Sequence, residues 1–219
     1  MRNEIKIPVN QDFNLYFDEW KDFQNKVSRP YKDRYINSIY YDDDNFTTAQ
    51  NNLSGISNRR KYRIRWYDNR FKDFFYEIKI KKNNLGKKIS LKSNSNLKNF
   101  KNFFSFTNKD YKNDEAVFFL ENINHLDLKP KIKISYQRSY YIFENKVRIT
   151  YDTNLNYSPL NELDLKNQKF LDNMNVIEIK FDEKNNELAQ ELLHSSNFIP
   201  KRFSKYLRSL YLTGKSIYI

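Results

Sequence analysis

The stretch RKYRIRWY, residues 60–67, places Lys61, Arg63 and Arg65 two residues apart, with Tyr62, Ile64 and Trp66 between them. In an extended chain that spacing makes one face basic and the other apolar. Arginine presents a planar fork of donors that matches paired anionic oxygens. Three cations on one face suit either a phosphate-rich ligand or open water. The alternation recurs in six more segments. Glu4 and Lys6 oppose Ile5 and Ile7. Glu77, Lys79 and Lys81 oppose Tyr76, Ile78 and Ile80, and Lys88 and Ser90 oppose Ile89. Tyr136, Arg138 and Tyr140 share a face. Arg148, Thr150 and Asp152 oppose Val147, Ile149 and Tyr151, while Glu178, Lys180 and Asp182 oppose Ile177, Ile179 and Phe181.

An antiparallel sheet with one wet face gives this pattern too. A wet face, however, accepts Ser, Thr, Asn or Gln, and here most such positions are ionic. Arginine recurs at Arg63, Arg65, Arg138 and Arg148 although the chain holds only 12. The other solution is a closed or nearly closed barrel with a polar, ion-lined interior and an apolar exterior covered by helices. That inverts the usual small barrel, whose interior is packed. Cations confined in this way repel one another unless an anion neutralises them. A polyphosphate with a divalent cation would do so. Glu4, Glu77, Asp152 and Glu178 supply oxygen donors of the kind a hard cation takes.

The net charge of +12 in 219 residues favours a polyanionic partner. The chain is also rich in Lys, Asn, Ile, Phe and Tyr and poor in Gly, the bias of an AT-rich genome, so the placement of charges says more than their number. There is no Cys, and the two histidines, His125 and His194, are too few for a His-built metal site. Any metal would need oxygen ligands, which suits Mg or Mn. Three glycines leave no phosphate-binding Walker loop, which excludes a P-loop kinase. No apolar run approaches the roughly 20 residues of a membrane span. The start, MRNEIKIPV, lacks the apolar core of a signal peptide. A soluble, cytoplasmic protein is the expectation.

The elements that must carry these residues follow from period and punctuation. Strands are expected at 3–9, 34–41, 59–68 and 73–82, at KKISL after a turn at Gly86, and at 131–143, 146–152 and 175–182. Helices are expected at 12–27 with Asp12 as N-cap, and at 95–106, 112–123, 186–196 and 204–212. ENK at 144–146 reads as a hairpin turn. Residues 153–168 read as loop. Asp42, Asp43 and Asp44 read as a strand-end turn and helix cap in preference to a second metal site. The two histidines read as surface or packing residues, and Phe103, Phe104 and Phe106 as core contacts. The reading is α+β: one antiparallel β domain over 1–219, with helices packed on it.

Taken in order, NEIKI, SIYYDDDNF, RKYRIRWY, YEIKIKK, the lysine pair after Gly86, ISYQRSYY, VRITYDTNL, VIEIKF and RFSKYLRSL resemble the VTC domain. That family is the polyphosphate-polymerase branch of the triphosphate tunnel metalloenzymes, and the resemblance runs from Glu4 to about Leu212. It implies a tunnel of antiparallel strands. It also implies transfer of the terminal phosphoryl group of ATP to a polyphosphate chain with a divalent metal, often Mn. Lys6, Arg63, Arg65, Lys79, Arg138 and Arg148 would grip phosphates, joined by Lys81, Lys87 or Lys88, Lys180 and Lys205. Glu178 would be the chief metal ligand, with Glu4, Glu77 or Asp152 assisting. One departure is Arg2, which stands where the wider superfamily begins an acidic Glu-x-Glu-x-Lys strand; this matches the VTC branch better than the triphosphatases. The chain resembles the isolated bacterial form, without the phosphate-sensing domain and membrane spans of eukaryotic subunits. Two other functions fit the same residues: a metal-dependent hydrolase of triphosphate or nucleoside triphosphate, and a non-enzymatic binder of polyphosphate or nucleic acid. No specific nucleic acid is expected, and nothing indicates an oligomeric state.

Overall fold

The computed structural model describes residues 2–23, 26–68, 70, 73–83, 85–93, 114–160, 168–196 and 198–215. Among these described residues, nine strands and five α-helices follow in the order β1 (Arg2–Asn10), α1 (Phe13–Phe23), β2 (Val27–Asp42), α2 (Thr47–Leu53), β3 (Asn58–Tyr67), β4 (Phe74–Lys82), β5 (Leu85–Lys92), α3 (Asp114–His125), β6 (Lys129–Phe143), β7 (Val147–Pro159), β8 (Phe170–Leu171), β9 (Met174–Asp182), α4 (Asn186–Ser196) and α5 (Lys205–Leu212). The hydrogen-bonded order is β1-β9-β7-β6-β2-β3-β4-β5, with β8 beside β7. The pairs β1–β9, β7–β9, β2–β3, β3–β4 and β4–β5 are antiparallel. This is the α+β class expected. Among the described residues no helix is long and apolar enough to cross a membrane.

The chain divides into two compact units. The first comprises Met1–Tyr35, Tyr136–Leu155 and Leu171–Ser204; the second comprises Ile36–Ser135, Asn156–Phe170 and Lys205–Ile219. In the first, the apolar sides of β1, β7 and β9 bury Ile7, Ile149, Ile177 and Ile179 against Phe17 and Trp20 of α1 and Leu192 and Leu193 of α4. In the second, Tyr62, Ile64, Tyr76 and Ile78 pack on Phe119, Leu120 and Ile123 of α3. Full burial of such side chains stabilises by about 1.5–3 kcal/mol each. Because side chains alternate along a strand, burying these rows turns the charged rows to the opposite side.

Several boundaries differ from expectation. Val27 begins β2 instead of ending a helix, and β2 runs well ahead of Arg34. Strand β7 continues to Pro159 through residues expected to be loop. Asn154 there takes a left-handed φ of 54°, and the Leu155 carbonyl accepts from the Asp172 N–H beside β8. The ENK turn is as expected: Glu144 and Asn145 both have positive φ, and the Lys146 N–H closes on the Phe143 carbonyl at 3.0 Å. Gly86 lies inside β5 and the turn before it falls at Asn83, φ 54°. Helix α2 was not expected. Asp42 and Asp43 hold it, accepting from the N–H groups of Thr47, Thr48 and Ala49 at 2.8–3.1 Å, so these two carboxylates cap it, whereas Asp44 accepts from Lys129 and Lys131. The expected helix at 95–106, with Phe103, Phe104 and Phe106, lies outside the described residues.

Candidate phosphate and metal site

In the first unit the antiparallel register sets Lys6 opposite Glu178, and Glu4 opposite Lys180. Lys6 Nζ lies 3.1 Å from Glu4 and 3.6 Å from Glu178, and it donates to the Phe203 carbonyl at 3.4 Å. Lys180 Nζ is 2.8 Å from Glu178. Arg138 donates to both oxygens of Asp152, at 2.5 and 2.7 Å, and reaches Glu178 at 3.4 Å. Asp152 is fully buried. Burial pushes the Arg138 guanidinium down, yet Asp152 and Glu178 hold it well above its ordinary value. Arg148 faces Lys180 across β7–β9 and is exposed. Three cations and three carboxylates thus form one network beside an exposed arginine.

The second unit is built differently. Strands β3, β4 and β5 carry eleven basic residues and a single acidic one, Glu77. Glu77 is 2 % exposed. Its Oε2 accepts from Arg63 Nε at 2.6 Å and lies 3.8 Å from Arg65; its Oε1 accepts from Lys88 at 2.8 Å and Ser90 at 3.2 Å. Burial pushes the Glu77 carboxyl up, and Arg63, Arg65 and Lys88 overcome that and hold it far below the usual carboxylate range. Arg65, itself buried, donates to Ser38 at 3.0 Å. The next cross-strand row sets Lys61, Lys79 and Lys88 side by side. Like charges opposite one another destabilise a sheet.

The structure therefore brings Lys6, Arg138, Glu4, Glu178, Lys180 and Asp152 together in one unit, and Arg63, Arg65, Glu77 and Lys88 in the other. Of the two lysines after Gly86, Lys88 shares the Glu77 side, whereas Lys87 stands opposite Ile80 on the other side. Lys81 pairs in register with Arg59, one step beyond the lysine row. Lys205 begins α5, and its charge acts on Tyr40. Ser38 and Tyr40 are two additions that the sequence reading missed, while Ser90, already read on the charged side with Lys88, donates to Glu77. The signal for both additions was present, because Ser38, Tyr40 and Asp42 alternate with Ile39 and Tyr41.

The donor chemistry bears on a divalent cation. Among the described residues, no group of three or more His, Asp or Glu is placed to hold a metal ion. Both Asp152 oxygens accept from Arg138, and both Glu77 oxygens are likewise engaged. Glu178 and Glu4 share their oxygens with lysines at 2.8–4.0 Å, and Glu178 also with Arg138 at 3.4 Å. As hard oxygen donors the pair fits Mg or Mn.

The family profile of the VTC domain matches residues 3–213. No curated protein matches the chain. Solved structures share its fold at low identity. The PH1819 protein of Pyrococcus horikoshii OT3 is 17% identical, with 97% of this chain and 98% of that one covered and a TM-score of 0.51. A candidate adenylate cyclase from Bacillus halodurans is 14% identical over 95% and 96%, with a TM-score of 0.55. HpAC1 from Hippeastrum, a candidate adenylyl cyclase described as having a dominant triphosphatase activity, is 11% identical over 99% and 98%, with a TM-score of 0.52.

Proposed function

Since the chain belongs to the VTC domain family, we propose that it is an ATP-dependent polyphosphate polymerase acting in the cytoplasm. The observation that carries the reading is the cation surplus around Glu77, where Arg63, Arg65 and Lys88 share one carboxylate next to a row of lysines. Such a surface is completed by a polyanion with closely spaced charges. The reaction breaks the bond between the γ-phosphorus of ATP and its bridging oxygen, which leaves with ADP. A new bond joins that phosphorus to a terminal oxygen of the polyphosphate chain. Because the acceptor is itself a phosphate, no side-chain nucleophile is needed. Catalysis consists of positioning and of neutralising charge on the transferred oxygens.

Phosphate contacts are assigned to Lys6, Arg138, Arg148 and Lys180 in the first unit, and to Arg63, Arg65, Lys79, Lys81, Lys88 and Lys205 in the second. Glu77 and Asp152 orient the arginines they bind. Glu178, with Glu4, would hold Mn or Mg, which when bound supplies further positive charge to the phosphate oxygens. Incubation with ATP and MnCl2, with products resolved on a gel, should give a ladder of long polymer. Orthophosphate alone would mark a hydrolase, the kind of activity named for the Hippeastrum protein, and unchanged ATP would mark a binding module.

A further inference from the structure

Tyr40 stands directly opposite Arg63 in the β2–β3 register. Its hydroxyl oxygen accepts from the Arg63 guanidinium at 2.9 Å, and that guanidinium also lies 5.8 Å from the ring centre. A phenol has one donor and two acceptor positions. Arg63 takes an acceptor position, and among the described residues nothing accepts the Tyr40 proton. The nearby Glu77 has both oxygens engaged by Arg63, Lys88 and Ser90. Tyr40 is 9 % exposed, so a buried donor sits beside two arginines with its proton unused.

The ring is also held. It stacks on Tyr206 with centres 5.1 Å apart and planes 9° from parallel. Tyr206 in turn donates to Asp42 at 2.7 Å. Asp42 is fully buried and accepts from Thr48 Oγ1 at 2.6 Å and from the Thr48 and Ala49 N–H groups of α2. The two stacked phenols have opposite acidity. Burial pushes Tyr40 up, but Arg63, Arg65 and Lys205 outweigh it and hold the phenol below its ordinary value. Burial and the Asp42 anion drive Tyr206 well above its own. A more acidic phenol is a stronger donor to an anionic oxygen, while Tyr206 stays protonated as the anchor.

We propose that the Tyr40 hydroxyl is a phosphate-binding group, donating its proton to an anionic oxygen of the chain that Arg63 and Arg65 hold, with the Tyr206–Asp42 pair fixing its ring. The proposal rests on the polyphosphate reading and adds a neutral donor to it. Arg63, Tyr40 and the phosphate oxygen then form a run of hydrogen bonds in which each polarises the next.

The test is calorimetric binding of inorganic tripolyphosphate to the full chain. Tyr40→Phe keeps the ring and its stack and removes the hydroxyl, both its free donor and the oxygen that accepts from Arg63. It should weaken binding about tenfold, as expected for one hydrogen bond to a charged partner. Equal affinity in wild type and Tyr40→Phe, with Arg65→Ala weakened, overturns the proposal and leaves the phosphate reading standing. Failure of the wild type to bind overturns both. If Tyr40→Phe does not fold, replacement of Tyr40 by 3-fluorotyrosine decides instead. Fluorination strengthens the donor at nearly constant volume, so binding should tighten; unchanged or weaker binding overturns the proposal.

Discussion

In β1 and β9 three basic residues stand against three acidic ones, whereas the Glu77 side of β3, β4 and β5 carries eight against one. Both faces arise from the same alternation of charged and apolar residues, yet their electrostatics diverge. In the first unit Lys6, Lys180 and Arg138 find partners in Glu4, Glu178 and Asp152, a balanced network beside the exposed Arg148. In the second, one carboxylate is divided among Arg63, Arg65 and Lys88. Alternation alone therefore does not distinguish a self-satisfied face from one that needs an external anion. The count of carboxylates along the same rows does.

The largest effect is expected where the balanced face is most buried. Asp152 is fully buried and binds Arg138 through both oxygens. Asp152→Asn keeps the volume but leaves the guanidinium without its main counter-ion. Breaking a buried pair from one side costs about 3–5 kcal/mol, to be read from the urea midpoint at constant m-value. A loss below about 1 kcal/mol would place the pair in the range of solvent-screened surface bridges, and the contrast between the faces would collapse.

The next effect sharpens the other side of the comparison. Arg65→Ala leaves Glu77 bonded to Arg63 and Lys88, so the fold should hold, while a proposed contact to the transferring phosphate disappears. Turnover with ATP should fall by roughly 30- to 1000-fold, about 2–4 kcal/mol of transition-state stabilisation. Lys201→Ala with Arg202→Ala removes two exposed cations and should mainly change the salt dependence. A polyanion binder without a site loses affinity about equally for any lost cation, because counterion release sets the effect. Equal losses in the two variants would favour that binder over the enzyme.

Much of this was legible in the sequence because period two is rigid: once Ile64 and Ile78 enter the core, Arg63, Arg65 and Glu77 must share the opposite side. The choice between Lys87 and Lys88 was not legible, since it depends on where the turn before β5 falls, and Asn83 rather than Gly86 takes it. Residues 153–159, TNLNYSP, have weak strand propensity; the neighbouring strand β6, whose Lys131 carbonyl accepts from the Leu160 N–H, keeps them extended. Helix α2, rich in Asn and Gln, is held by capping carboxylates instead of an apolar stripe. The Tyr206–Asp42 bond joins residues 164 positions apart, a separation no local pattern reveals.

The smallest effect concerns acid. Glu77 has an ordinary value of 4.5 and is held well below it in the fold by the cations around it. A carboxylate depressed by folding stabilises the protein above its ordinary value, and that contribution fades as pH falls toward the lower folded value. At most one proton is involved, so the slope cannot exceed about 1.4 kcal/mol per pH unit. Glu77→Gln cannot titrate, and it leaves Arg63, Arg65 and Lys88 to repel one another at every pH. The stability gap between wild type and variant should be widest near neutrality and narrow steadily below about pH 4.5, measured by urea unfolding at a series of pH values. A gap that stays constant down to pH 3 would mean that Glu77 does not feel the surrounding cations. The surplus on the second face would then be screened by solvent rather than concentrated on one carboxylate, and the need for an external anion would lose its physical basis.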